Sequence, residues 1–168
     1  MNLFKQIFIE PSNRHPDANI RRHYEIQKAR WVWHPDCLQR FQSSVVLFKC
    51  TFSTEEKKTI RVHFSADNRY ELFLDGDLIS RGPHRCDEFH WSFASYEITV
   101  DKGVHEWHAV CDWLHEECPV AQRSIGHGGF IFAAEGEYAS IMDTGIGKWE
   151  VARWEGWSFE RNSLEKFN

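Results

Sequence analysis

The stretch SADNRYELFLDGDLISRGPHRCD, residues 65–87, decides the fold. Residues 70–75 alternate between two sets of side chains, which is the two-residue period of a β-strand. Asp75-Gly76 tolerates positive φ angles and predicts a tight hairpin turn. The return strand begins at Leu78-Ile79 and ends at Gly82-Pro83, because proline cannot donate to a central ladder. The stretch therefore predicts antiparallel strands followed by a charged, aromatic loop.

Several segments outside this hairpin show the same period. In residues 59–66, Ile60, Val62, Phe64 and Ala66 are expected to face inward, and His63 and Ser65 outward. One dry face and one wet face are typical of an antiparallel sheet. No segment has the pattern of an amphipathic helix of ordinary length. The further strand candidates are residues 6–9, 29–33, 44–52, 95–100, 106–113, 130–134, 138–142 and 148–153. The pattern predicts an all-β protein, an antiparallel two-sheet β-sandwich or jelly roll.

The chain is expected to hold one domain. We predict an N-terminal extension over residues 1–28, a β-sandwich over residues 29–157 and an exit segment toward a following domain over residues 158–168. At 168 residues and 42% hydrophobic residues, the chain is long enough to bury a real core. Its eight tryptophans and thirteen phenylalanines raise the expectation of an aromatic surface patch as well.

Charge and cysteine content narrow the classes of partner. A net charge of −5 without a basic run disfavours binding to nucleic acid. No segment has the length of a membrane span, and the N-terminus lacks the pattern of a signal peptide. The five cysteines are an odd number, which favours reduced thiols in the cytoplasm.

Catalytic and metal-binding patterns are weak. The adjacent carboxylates Asp87-Glu88 and Glu116-Glu117 project apart, so neither pair makes a ready acid and base. The spacing H-x2-C-x3-H-x2-C from His108 to Cys118 offers zinc ligands, but strand alternation puts His108 and Cys111 on opposite faces. We therefore expect no catalytic residue, no metal site and no cofactor.

The aromatic and polar side chains of the loops fit sugar binding better than any other activity. Sugars offer apolar faces to aromatic rings and hydroxyl groups to planar polar side chains. The alternative is a structural role, in which Arg85 pairs with Asp87 and Trp91 caps the core. The candidate carbohydrate-binding residues are Arg85, His90, Trp91, Trp113 and His115.

Five motifs follow one another in an order that resembles a known family. They are ARWVWHPD (29–36), ADNRYELFLDG (66–76), RGPHRCD (81–87), HWSFASYEI (90–98) and PVAQRS (119–124). Together they resemble the N-terminal β-sandwich region of bacterial α-L-rhamnosidases, which is similar to galactose-binding-like jelly-roll domains. In such enzymes the catalytic carboxylates belong to an (α/α)6 barrel much further along the chain, and nothing in these residues matches that barrel.

The resemblance implies a non-catalytic accessory domain of an α-L-rhamnosidase-like glycoside hydrolase. Its expected partners are the other domains of the same hydrolase and a rhamnose-containing saccharide. The alternative is a free-standing carbohydrate-binding module. Asp67 and Asn68 are expected to brace the turn between two strands, and Arg69 to reach Asp87 or another carboxylate. The motif residues with this structural role are Asp67, Asn68, Arg69, Gly76, Gly82, Pro83 and Asp87.

Overall fold

The computed structural model describes residues 3–7, 25–38, 43–84, 92–115 and 127–157. These residues form strands, two short α-helices and two 3-10 turns, at Glu25–Lys28 and Gly136–Tyr138. No helix in these ranges is long and apolar enough to cross a membrane. The strands are β1 (Leu3–Ile7), β2 (Ser44–Thr54), β3 (Lys58–Asp67), β4 (Arg69–Leu74), β5 (Asp77–Gly82), β6 (Ala94–Val100), β7 (Gly103–Trp113), β8 (Gly129–Ala134) and β9 (Trp149–Arg153), and the helices are α1 (Pro35–Leu38) and α2 (Ala139–Met142).

The strands make two antiparallel sheets packed face to face. One sheet has the strand order β1-β6-β3-β8, and the other has the order β5-β4-β7-β2-β9. Every named strand pair is antiparallel. The predicted fold class, an antiparallel two-sheet β-sandwich, is confirmed.

The core lies between the inner faces, as strand alternation predicts. Every second residue of β2 and β7 is buried, from Val46 to Phe52 and from Trp107 to Trp113. Cys111 is fully buried in this core, while His108 lies on the other face of β7. Aromatic rings fill the centre, where Trp107 lies 5.1 Å from Phe132 between ring centroids. Burial of these large side chains is the main favourable contribution to folding.

The central hairpin contains two irregularities that set the direction of its side chains. Asp75 and Gly76 have φ angles of 52° and 88°, which confirms the predicted turn. In the return strand β5 the register shifts, and Ile79 is left opposite no partner in β4. This β-bulge allows Ile79 to enter the core while Arg81 pairs with Glu71 on the outer face.

Part of the outer face of the four-stranded sheet is buried, although the sequence pattern predicts that it faces solvent. His63 and Ser65 were predicted to face solvent, but each is only 1% exposed. The 3-10 turn at Glu25–Lys28 packs on β8, and a second apolar cluster covers this side of the sheet. The buried members of that cluster are Ile26, Ala29, Ile131 and Ala133. The prediction failed because the covering residues are distant in sequence from the strand that they cover.

Three predicted strands also differ from the structure. Residues 138–142 form the end of a 3-10 turn and α2 rather than a strand. A short apolar run is compatible with both the helical period and the strand period, so the pattern alone does not separate them. In residues 29–33, Val32 makes a single bridge to Phe130, and Trp31 and Trp33 pack against different apolar clusters. The first strand lies at Leu3–Ile7 and pairs with β6, so part of the predicted N-terminal extension belongs to the sandwich.

A histidine next to the hairpin turn gives the stability a pH dependence. His105 donates from Nδ1 to Asp75 Oδ2 over 2.7 Å and from Nε2 to the Asp101 carbonyl over 2.9 Å. Burial lowers the pKa of His105, but the hydrogen bonds to Asp75 and Asp101 outweigh burial, and the pKa is raised above 6.5. A raised histidine pKa stabilises the folded state below the unfolded pKa and loses that effect as the pH rises through the folded pKa.

We therefore expect the free energy of unfolding to fall by about 1 kcal/mol as the pH rises through the folded pKa of His105. The measurement is urea denaturation in half-unit pH steps from about 5.5 to about 9, which spans the titration range of histidine. His105→Gln should flatten this step, whereas His108→Gln, on the solvent side of the same strand, should retain it. An unchanged fall in the free energy of unfolding in His105→Gln would show that the pH dependence belongs to another titratable group.

Candidate functional site

A large groove lies on the outer face of the five-stranded sheet. Its volume is about 720 Å³, and its lining residues come mainly from β4, β5 and β7. Pro83 and Leu114 lie at its margin, close to the points where the described parts of the chain end at His84 and His115. A cleft of this size is in the range that binds small organic ligands. The lining residues are Val45, Arg69, Tyr70, Glu71, Arg81, Gly82, Pro83, Val110, Asp112, Leu114 and Trp157, and together they define "the groove".

Two pairs of opposite charge form the polar part of the groove. Arg69 of β4 is the register partner of Asp112 of β7. Glu71, two residues along β4, accepts a hydrogen bond of 2.7 Å from Arg81 Nε. Outward-facing residues of adjacent antiparallel strands lie side by side, so the sheet itself brings these four charged groups together. The result is two neighbouring pairs of a donor and an acceptor.

Asp112 is the most shielded charged group among them. Burial raises the pKa of its carboxyl group, the charge of Arg69 lowers it, and the net shift is upward from 3.8. Its main-chain carbonyl accepts a 3.0 Å hydrogen bond from the Asn68 amide, which fixes the backbone beneath the carboxylate. A partly buried carboxylate makes stronger hydrogen bonds than one in water, because the local dielectric constant is lower.

Apolar side chains form the other part of the groove. Val45 is buried although it points away from the core, and Val110 and Leu114 are half-buried. Trp157 is 55% exposed and meets Trp154 edge to face, with ring centroids 5.8 Å apart. The groove therefore combines an aromatic surface with fixed charges.

A second group of paired charges lies further along the same outer face. Lys49 Nζ lies 2.7 Å from Glu106 Oε1, and the same carboxylate lies near Thr51 and His108. These residues occupy the same strands as the groove, further along β2 and β7. They provide matched control positions for the groove residues.

Asp67 and Asn68 brace the junction between β3 and β4. Asn68 donates from Nδ2 to Asp67 Oδ1 over 2.7 Å and accepts at Oδ1 from the Leu114 amide over 2.7 Å. These two hydrogen bonds link the junction to the residue that follows β7. Arg69 lies beside Asp112, which agrees with the expectation that it reaches a carboxylate, and Asp87 lies outside the described residues.

Gly82 has a packing reason to be a glycine. An added Cβ would lie 2.8 Å from the Tyr70 hydroxyl oxygen. The Tyr70 hydroxyl also lies 3.3 Å from Ser80 Oγ, and burial raises the pKa of Tyr70 to about 12. Any larger residue at Gly82 would press on this buried ring at the margin of the groove.

The structure describes two of the five candidate carbohydrate-binding residues. Trp113 is 4% exposed and belongs to the core, so its ring offers no open surface to a sugar, which corrects its assignment as a loop platform. The inward alternation of β7 explains its burial. His115 is half-buried and meets the Trp113 ring edge to face, so a ligand contact by His115 stays a prediction. Arg85, His90 and Trp91 lie outside the described residues.

Two other constellations could suggest chemistry. His63 lies 2.8 Å from Ser95 Oγ and 3.1 Å from Glu135 Oε1, an arrangement resembling a nucleophile, base and carboxylate. However, Ser95 is only 4% exposed, and Phe93 packs edge to face on His63, so a substrate has no access to the hydroxyl group. Within the described ranges, no group of three or more His, Cys, Asp or Glu residues could hold a metal ion.

Comparisons with known proteins give a likeness of fold. No protein-family model and no curated protein matched the sequence. A GH78 family rhamnosidase of Bacillus sp. GL1 matches 74% of this chain with a TM-score of 0.56 and 19% identity, and the chain spans 13% of that enzyme's length. A Pleurotus ostreatus lectin, solved in its apo form and with GalNAc, gives TM-scores of 0.47 at 15% identity, over 33% of its length. The β-sandwich thus resembles a domain of a rhamnosidase, as the sequence motifs predict.

Proposed function

We propose that this protein is a non-catalytic accessory β-sandwich domain of an α-L-rhamnosidase-like glycoside hydrolase, which packs against the catalytic region and helps to shape it. The observation that carries the proposal is the fold likeness to a rhamnosidase over 74% of this chain but 13% of that enzyme. The ordered sequence motifs support it independently. A fold is shared by proteins with different functions, so the proposal is tested on activity.

The described carboxylates of the groove are engaged in ways that suit binding better than hydrolysis. Glu71 is tied to Arg81, and Asp112 lies next to Arg69. A glycosidase needs one carboxyl group free to donate a proton and a second free to attack or to activate water. Two carboxylates that each face a guanidinium group are better suited to hold hydroxyl groups than to exchange protons with a substrate.

Exposed apolar side chains along one edge of the five-stranded sheet support the proposed domain packing. Ile146 and Val151 expose 56% and 39% of their surfaces, and Ile141 of α2 exposes 40%. These residues lie on and just before the edge strand β9. Exposed apolar side chains grouped in one segment often mark an interface with another domain.

We expect the recombinant chain alone to show no hydrolysis of p-nitrophenyl α-L-rhamnoside above the buffer rate. The same chain, tagged and purified from its native cells, should carry rhamnosidase activity, because the catalytic region accompanies it there. Where contact between the domain and the catalytic region holds the two together, Ile146→Ser should reduce the rhamnosidase activity that is purified with the chain. Lys102→Ser should leave that activity unchanged. Turnover by the recombinant chain that disappears in Asp112→Asn would overturn the non-catalytic role.

A free-standing carbohydrate-binding module is the second candidate function. The groove favours it, because fixed charges lie next to an exposed tryptophan in one cleft. Native material that binds saccharides but lacks rhamnosidase activity would favour this module over the accessory domain.

A further inference from the structure

We propose that the groove on the outer face of the five-stranded sheet is a binding site for an uncharged saccharide, held by Arg69 and Asp112 and covered by Trp157. This inference rests on a carbohydrate-binding role for the domain and assigns it to residues other than the loop candidates. It concerns the sheet face, where the described side chains can be assessed directly.

The chemistry of the groove matches both surfaces of a sugar ring. A pyranose presents hydroxyl groups that donate and accept hydrogen bonds, and C–H faces that pack against apolar groups. Asp112 supplies only acceptors when ionised, and the guanidinium group of Arg69 supplies only donors. Their register pairing puts acceptor and donor side by side, as adjacent hydroxyl groups require. Trp157 and Val110 offer the apolar contact.

The charge balance of the groove favours a neutral ligand. Among the lining residues that the structure describes, the two guanidinium groups of Arg69 and Arg81 are matched by the two carboxylates of Asp112 and Glu71. An anionic saccharide would bring its negative charge close to Glu71, which accepts a 2.7 Å hydrogen bond from Arg81. The whole chain also carries a formal charge of −5, which repels anions. A uronic acid or a sulfated sugar is therefore a poor fit.

The backbone of β4 and β7, beneath the centre of the groove, leaves no place for an added peptide strand. β4 pairs with β5 on one side and with β7 on the other, and β7 also pairs with β2. Their main-chain groups are used in these ladders, and a peptide strand adds only at a sheet edge. Over β4 and β7 a ligand is therefore recognised by side chains, which suits a molecule rich in hydroxyl groups. The groove volume of about 720 Å³ leaves room for an oligosaccharide rather than a single small ion.

The test is isothermal titration of the recombinant chain with three kinds of probe. They are methyl α-L-rhamnoside, a panel of neutral oligosaccharides that contains rhamnose or galactose, and a galacturonate oligosaccharide as the charged comparison. We expect a neutral probe to bind, and Asp112→Asn and Arg69→Gln to raise its Kd about tenfold or more, since each removes a charged hydrogen-bond partner. Trp157→Ala should raise the Kd by a similar factor, and this exposed residue can be changed without affecting the core.

Matched control variants distinguish a failure of the groove as the binding site from a failure of the carbohydrate-binding role. Glu106→Gln and Lys49→Gln change the same charges on the same face outside the groove and should leave the Kd unchanged. Binding that is insensitive to the three groove variants but lost in Trp91→Ala would overturn the groove and retain the binding role. Tighter binding of the galacturonate would overturn the preference for a neutral ligand. Failure of every neutral probe to bind would overturn both the groove and the binding role.

Discussion

Replacing Asn68 with alanine is expected to lower the free energy of unfolding by about 3 kcal/mol. The side chain is 2% exposed and makes two hydrogen bonds of 2.7 Å, to Asp67 and to the Leu114 amide. Alanine would leave a buried carboxylate and a partly buried amide each with one partner fewer. The full cost of desolvating such groups then falls on the folded state. Urea denaturation followed by tryptophan fluorescence measures the change.

The control for this prediction is a hydrogen bond of similar length at the surface. The hydroxyl groups of Thr59 and Thr99 lie 2.8 Å apart in an exposed position. Thr59→Ala should therefore change the free energy of unfolding by less than about 0.5 kcal/mol, because water replaces the lost partner. A similar small change in Asn68→Ala would show that the junction is not braced by this side chain.

Replacing Gly147 with alanine should destabilise the protein by about 3 kcal/mol. An added Cβ would lie 2.0 Å from the carbonyl oxygen of Ile141 and 2.5 Å from its carbon. These are main-chain atoms, so they cannot rotate away as a side chain could. The Gly147 amide also donates to the Asp143 carbonyl over 2.7 Å, in the turn that leads into β9. Movement of this turn would shift the edge strand as well.

Thermal unfolding of Gly147→Ala and Gly156→Ala separates overpacking from a general effect of alanine. At Gly156 the nearest atom to an added Cβ is Trp154 Nε1, at 3.2 Å, on an exposed and rotatable side chain. We expect a drop of several degrees in the melting temperature for Gly147→Ala alone. Equal melting temperatures for the two variants would contradict the contact with Ile141.

The sequence predicted the parts of the fold that depend on local pattern. The turn at Asp75-Gly76 follows from backbone preference, and the inward face of β7 follows from its two-residue period. Strand alternation puts Cys111 on the face opposite to His108, and Cys111 is fully buried. Local chemistry also indicated the bracing role of Asn68, although not its partner Leu114.

The groove depends on strand register, which a single sequence does not contain. Arg69 and Asp112 become neighbours only when β4 pairs with β7. Arg81 reaches the outer face because a bulge at Ile79 changes the alternation of β5, and no residue type there indicates a bulge. For the same reason the burial of His63 was missed, since a distant turn covers it. Polar and aromatic residues are consecutive in the loops, so the sequence pattern points to the loops rather than to the sheet face.

Chemical-shift mapping by NMR, with a neutral rhamnoside or galactoside titrated into the isotope-labelled chain, tests the central claim most directly. We predict the largest shifts at the amides of Arg69, Glu71 and Asp112 and at the indole N–H of Trp157, with Lys49 and Glu106 unmoved. Shifts confined to residues 85–91 or 116–126, or no shift for any neutral saccharide, would contradict a sugar site on this sheet face.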